Sequence, residues 1–343
     1  MAIKEYKFLT PEMREHFLKY GWVKIEGGVS PENLKRFSHD VWVRLGYDPN
    51  DKSTWEKEKA SLHLPRHREV PTKEYMPQVY GAIAELEGGE ENMHPTLFTS
   101  CGDSIICNFG SKEWEDKEPL DPHLLGNWHI DGDWFRHFLD SGDQVLTAIV
   151  FYNDIEPNSG GTFVAPDGIK HVVKWLYDHP EGADSWPVDE TGARVVCNAK
   201  ELNEFVECTG KAGDVILFHA FMPHSASKNY RRVPRFITNP TITAKGPQQL
   251  SRENPEDYSL IELVTRQALK ENGLTEEEIA TWKPTRPRKR FTPRTRAGKD
   301  AMINAEIERM RAYEKASNGA YTIDSMHRNG AIPYLTVPDI EGY

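Results

Sequence analysis

The tripeptide His129-Ile130-Asp131, inside the run NWHIDGD, carries the residue types and spacing best suited to hold a metal ion. In an extended chain residues i and i+2 face the same way, so both side chains can reach one ion from the end of a strand. Far downstream, GDVILFHAFMPH supplies two more imidazoles, His219 and His224. Either would complete a set of two imidazoles and one carboxylate. That set leaves coordination positions open and is the facial triad of non-haem Fe(II) oxygenases. Asp133 competes with Asp131 for the carboxylate position, since both point to one face of an extended chain. The closer H-x-D spacing suits a facial set better, and Gly132 suggests a bend before Asp133. An isolated H-x-D is also what a surface turn with a capping aspartate looks like, so its weight comes from its surroundings.

Arg235 opens the apolar run RFITNPTIT, eleven residues after His224. A buried guanidinium there could grip the distal carboxylate of a keto acid through two parallel charge-assisted hydrogen bonds. An ordinary structural ion pair is the competing reading. Aromatic residues crowd the H-x-D segment: Trp114, Trp128, Trp134, Phe135 and His137. Among these residues and Asp133 we take Trp128, Asp133 and Trp134 as candidate substrate-pocket residues, with core packing as the alternative for the aromatics.

Taken together, these residues resemble the phytanoyl-CoA dioxygenase family of 2-oxoglutarate oxygenases. In that family an H-x-D precedes an N-G or S-G turn, a P-G-S-H-like stretch, G-D, the distal His, an Asn and an Arg. Here the corresponding residues are His129 and Asp131, Asn158-Ser159-Gly160-Gly161, Pro166 to His171, Gly213-Asp214, His224, Asn229 and Arg235. The opening pattern FLKYGWVKIEGGVSPENLKRF is similar as well, so the likeness runs over residues 10–245. It implies a double-stranded β-helix (jelly-roll, cupin-like) core, with Fe(II) held by His129, Asp131 and His224. His224 rather than His219 keeps the family's spacing to Asn229 and Arg235. The resemblance further implies 2-oxoglutarate as cosubstrate, on Arg235 with Ser225 and Asn108. The family often has a serine where this chain has Ala226, and the P-G-S-H stretch is altered to Pro-Asp-Gly-Ile-Lys-His. The implied reaction oxidises a C–H bond of a small organic metabolite, with release of succinate and CO2. Hydroxylation leads, with desaturation or cyclisation open, and the intact Asp131 favours oxygenation over halogenation. The alternatives are a cupin-type metal dioxygenase or isomerase that does not use 2-oxoglutarate, and a non-catalytic jelly-roll binding protein.

Elements must hold these residues in place. Thr10-Pro11-Glu12 starts a helix that ends at Gly21, followed by a strand in WVKIEG and a second helix after Ser30-Pro31-Glu32. Short β-rich runs follow between 95 and 245, among them SIICNF, VLTAIVFYN, TFVAP, DVILFHAF and RFITNPTIT. Helical periodicity returns in DYSLIELVTRQALKENG and GKDAMINAEIERMRAYEKA. A sandwich needs its open faces covered, and no flexible linker separates the flanks. The reading is therefore mainly β with helical flanks: one oxygenase domain over 1–343, with a helical N-terminal flank to 94, a jelly-roll core over 95–245 and a helical C-terminal flank from 246.

Composition is that of a globular chain: of 343 residues, 38% are apolar and 28% charged. No apolar run has the roughly 20 residues of a membrane helix, and the first residues lack a secretory pattern. Cys101, Cys107, Cys197 and Cys208 show no C-x-x-C spacing and read as thiols of a reducing, cytoplasmic compartment. The net charge of −11 argues against nucleic acid and anionic membranes as partners, leaving a small molecule and O2. The oligomeric state is open. One basic, acid-free stretch runs over 283–299 and includes Arg288, Lys289 and Arg290. It reads as a solvated connection, or else as a clamp for an anionic substrate or a partner.

Overall fold

The computed structural model describes residues 5–62, 66–97, 99–190, 192–291, 299–330, 332 and 340–341. The chain enters through α1 (Pro11–Tyr20), capped by the Thr10 hydroxyl and closed by Gly21 in the left-handed region. Strand β1 (Trp22–Ile25) follows, then α2 (Pro31–Ser38) with Ser30 as its cap, and α3 (Val41–Leu45). Two short strands, β2 (Lys59–Ser61) and β3 (Glu69–Pro71), lead to α4 (Thr72–Tyr75) and α5 (Pro77–Leu86). Strands β4 (Ser100–Gly102), β5 (Ile106–Asn108), β6 (Leu146–Phe151) and β7 (Thr162–Val164) come next. Helix α6 (Ile169–Asp178) interrupts them before β8 (Val206–Cys208), β9 (Val215–His219), β10 (His224–Ala226), β11 (Arg235–Thr238) and β12 (Thr241–Ile242). Helices α7 (Leu260–Glu271), α8 (Glu276–Thr281) and α9 (Lys299–Ala316) follow, with β13 (Lys289–Arg290) before α9 pairing β14 (Ile340–Glu341) after it.

Two antiparallel sheets make the jelly roll. The larger runs β1-β9-β6-β11-β5-β2, with β12 also on β6; the smaller runs β10-β7-β8. Strands β6 and β9 are buried along their whole length, which is why they read as continuous apolar runs and not as alternating ones. Helix α7 packs against α1 and α6. Its capping box, Ser259 with Glu262, satisfies the first turn, and Leu260, Ile261, Val264, Ala268 and Leu269 form its inner face.

Helical flanks on a jelly-roll core were expected and are found, but the division along the chain differs. Strands β1 and β2 from the N-terminal flank are integral to the larger sheet, pairing with β9 and β5. Helix α6 lies inside the stretch of short β-rich runs read as the jelly-roll core. Its buried residues Ile169, Val172, Val173 and Leu176 follow the i, i+3, i+4, i+7 pattern, so the signal was present. From Arg288 onward the basic stretch also differs from a solvated connection. Arg288 pairs with Asp140 at 2.7 Å and Arg290 with Asp143 at 2.6 Å. The backbone of Lys289 and Phe291 bonds to Arg136 and Trp134. Residues 292–298 of that stretch lie outside the described residues.

A buried knot of charge ties the two flanks together. Arg44 on α3 bonds Asp103 at 3.0 Å and Glu306 on α9 at 2.9 Å. His67 reaches the same Glu306 carboxylate at 2.9 Å and the Ser325 hydroxyl at 2.7 Å. Arg68 joins Asp40 and Asp103. Removing one member leaves its partners charged and unpaired in the interior, a penalty of about 3–5 kcal/mol. Arg44→Met should therefore lower unfolding stability by about that amount. Chemical denaturation checks it, and a loss below about 1 kcal/mol would show that water readily replaces the guanidinium.

Candidate metal centre and adjoining cavity

The centre is built on one cross-strand contact. His129 and His224 exchange both backbone hydrogen bonds, at 2.9 and 2.8 Å, which extends the smaller sheet beyond β10. Residues paired this way put their side chains on the same face, and the two imidazole rings lie 4.2 Å apart. Asp131 comes onto this face two residues after His129. Its Oδ1 is 3.5 Å from His129 Nε2 and 3.6 Å from His224 Nε2. Gly132 then turns the chain at φ +106°, where a side chain would collide with His137 and Phe135. Asp133 is exposed and stays outside the donor cluster.

The donor chemistry fits a metal ion. His129 Nδ1 lies 2.7 Å from the Asn127 carbonyl and His224 Nδ1 lies 3.1 Å from the Met222 carbonyl. A carbonyl can only accept, so each Nδ1 carries the proton and each Nε2 presents a lone pair to the centre. Burial and then the neighbouring His224 push the His129 imidazole down in pKa. Burial alone would raise the Asp131 carboxyl, but His224 and His129 overcome it and hold it well below the usual carboxylate range. His129 and Asp131 are thus poised in ligating form. Asn239 Nδ2 stands 3.5 Å from the other Asp131 oxygen. The sequence reading missed Asn239; its only signal was the Asn-Pro break that ends β11.

A cavity of about 110 Å³ lies against the two histidines. Arg235 lines it, with Ile106, Ile149, Phe218, Ile237 and Ala226 among the other wall residues. The guanidinium is buried, and its Nε has no hydrogen-bond partner among the described residues. No carboxylate among the described residues pairs with it, and burial pushes it down to about 10. A buried, unpaired cation is costly, so the wall is prepared for an anion.

Several expected contacts go elsewhere. Ser225 lies between His224 and Ala226 on β10, so strand alternation turns it away from the cavity, and its hydroxyl donates to the Gly126 carbonyl at 2.6 Å. Ala226 takes the cavity-facing position. Asn108 is opposite Arg235 on β5, but its amide is spent on the Ser227 carbonyl and the Gly110 N–H. Asn229 pins the β10–β11 turn through the carbonyls of Asn108 and Val233. Trp128 faces away from His129, packing on Phe205 and donating to the Pro122 carbonyl. Trp134 is half-buried against Phe135 and the Arg290 guanidinium and does not line this cavity. His219 is a core residue, bonded to Thr265 at 3.0 Å and to the Phe221 N–H at 3.1 Å.

The phytanoyl-CoA dioxygenase (PhyH) family profile matches residues 121–236. No curated relative matches the chain. Among solved structures, the epimerase SnoN in complex with Fe3+, alpha ketoglutarate and nogalamycin RO is 18% identical, with 68% of this chain and 82% of that one covered and a TM-score of 0.40. The alpha ketoglutarate dependent carbocyclase SnoK is 16% identical, covering 69% and 84%, with a TM-score of 0.40. A Pseudomonas putida prolyl-4-hydroxylase is 11% identical, covering 68% and 98%, with a TM-score of 0.34. With the matched profile and a His-Asp-His set on a jelly roll, the chain is an enzyme of the iron- and 2-oxoglutarate-dependent oxygenase class. Its segment 121–236, which contains the whole donor set and Arg235, is the part that matches the phytanoyl-CoA dioxygenase family profile.

The placement separates the two candidate histidines by experiment. His224→Ala should lower Fe(II) affinity at least tenfold in anaerobic titration, while His219→Ala keeps iron and loses about 1–3 kcal/mol of stability. Iron lost with His219 and kept without His224 would reverse the assignment.

Proposed function

We propose that His129, Asp131 and His224 hold Fe(II), and that Arg235 binds the distal carboxylate of 2-oxoglutarate. The observation that carries this reading is the pairing of opposite needs in one cavity. Lone pairs converge beside one part of its wall, and a buried guanidinium with no carboxylate partner among the described residues forms another. A keto acid with a second carboxylate answers both. A cupin-type enzyme working without 2-oxoglutarate would leave Arg235 unexplained.

Iron bound there would supply O2 activation coupled to oxidative decarboxylation of the cosubstrate. The chain's own residues do the rest. Asn127 and Met222 fix the imidazole tautomers through their carbonyls, and Asn239 steadies the free oxygen of Asp131. Arg235 orients the cosubstrate. The apolar wall of Ile106, Ile149, Phe218 and Ile237 keeps water from its length, which strengthens each charge contact there. We infer that the outcome is oxidation of a substrate C–H bond, with hydroxylation first. Phe135, His137 and Trp186 meet ring to ring at tilted angles beside the Gly132 turn, which supports a mid-sized, partly apolar metabolite as substrate.

The charge knot between α3 and α9 supports reading 1–343 as one oxygenase domain. The cysteines Cys101, Cys107, Cys197 and Cys208 are buried free thiols, which supports a reducing, cytoplasmic setting. No helix among the described residues is long and apolar enough to cross a membrane.

Anaerobic addition of Fe(II) and then 2-oxoglutarate should produce the weak visible charge-transfer band of the chelate. Its absence with stoichiometric iron bound would refute the cosubstrate assignment. In Arg235→Ala the half-saturating 2-oxoglutarate concentration should rise at least tenfold, since each lost charged hydrogen bond is worth about 1.5–3 kcal/mol. An unchanged saturation curve would make Arg235 a structural residue.

A further inference from the structure

A second cavity, of about 310 Å³, lies between the end of α5, the start of α7 and the segment that follows β12. Its wall holds two buried polar side chains whose bonding capacity is unspent. Glu87 is 5% exposed and Gln248 7%. Among the described residues, neither carboxyl oxygen of Glu87 and neither amide atom of Gln248 has a hydrogen-bond partner. Their backbones are fixed. Glu87 closes α5 through its N–H to the Ile83 carbonyl at 2.9 Å, and its own carbonyl accepts from Asn92 at 2.9 Å. Gln248 N–H donates to the Asp140 carbonyl at 2.9 Å. Buried polar groups are nearly always bonded, so four unspent atoms at one cavity require an explanation.

The other charges on the wall narrow it. Arg252 and Glu262 satisfy each other through two bonds of 2.8 Å. Lys245 is exposed. The unspent interior groups are therefore a carboxyl and an amide. They offer three acceptor oxygens, and the Glu87 carboxyl can supply one negative charge. A primary ammonium carries three donors and one positive charge. Burial pushes the Glu87 carboxyl well above its ordinary range, a cost that a cation seated on it would offset.

We propose that this cavity is a second small-molecule site, distinct from the His129–Asp131–His224 cavity, that takes a protonated primary amine on Glu87 and Gln248. The amide N–H of Gln248 remains for a hydrogen-bond acceptor elsewhere on the ligand. The site reaches Val145, two residues before Thr147, which lines the metal-side cavity. An occupant therefore sits at the root of strand β6.

The test uses the full-length, iron-loaded protein with putrescine as probe and 1,4-butanediol as its uncharged counterpart. Calorimetric titration should show saturable one-site binding of putrescine, with a rise in melting temperature, and none of the diol. Glu87→Gln keeps the shape and removes the charge; it should weaken putrescine binding at least tenfold while keeping the Fe(II)–2-oxoglutarate band. Gln248→Leu should weaken it too. No saturable putrescine binding, equal binding of the diol, or unchanged binding in Glu87→Gln would each overturn the proposal. The retained band separates loss of this site from failure of the oxygenase assignment.

Discussion

The reciprocal backbone pair between His129 and His224 is the contact on which the centre depends. It joins two segments far apart in the chain at a fixed register. A slip of one residue would turn one imidazole to the opposite face and bring Ser225 or Trp128 inward. The rest of the fold serves this register. Strand β10 is held by β7, whose partner β8 closes the smaller sheet. Gly132 releases the chain as soon as Asp131 has been placed, and Asn229 fixes the turn that returns β11 with Arg235.

Among the described residues Arg235 and Glu87, groups of opposite sign, are buried without charge partners, and the molecule treats them differently. Arg235 stays charged, because a guanidinium holds its proton even at a pKa pushed down to about 10. It therefore calls for an anion at neutral pH. Glu87 can give up its charge by taking a proton, so it costs less while its cavity holds no cation. Contrast Arg44, Asp103 and Glu306, where burial is balanced within the fold. Internally balanced charge fixes architecture; unbalanced charge marks places prepared for a ligand.

Much of the fold was legible locally. Thr10 and Ser30 cap helices where their side chains and the following prolines indicated. The apolar runs over β6 and β9 became central strands, and the periodicity after Ser259 became α7. Helix α6 was equally legible in its spacing but lay within a stretch dominated by strand signals. The joining of β1 and β2 to the larger sheet was not legible, since pairing partners far along the chain leave no local mark.

At the centre the same division holds. The sequence by itself determined the donor types, the i, i+2 spacing that puts His129 and Asp131 on one face, and an arginine at the start of a buried strand. Between His219 and His224 the family resemblance already preferred His224, and the tertiary structure puts His224 beside Asp131 while His219 sits in the core on Thr265. Only the tertiary structure decided that Ser225, Asn108 and Trp128 turn their polar groups to backbone carbonyls, and that Asn239 reaches Asp131. The physical reason is that a side chain's direction is set by strand register and by competing hydrogen bonds. Both arise between segments brought together only by folding.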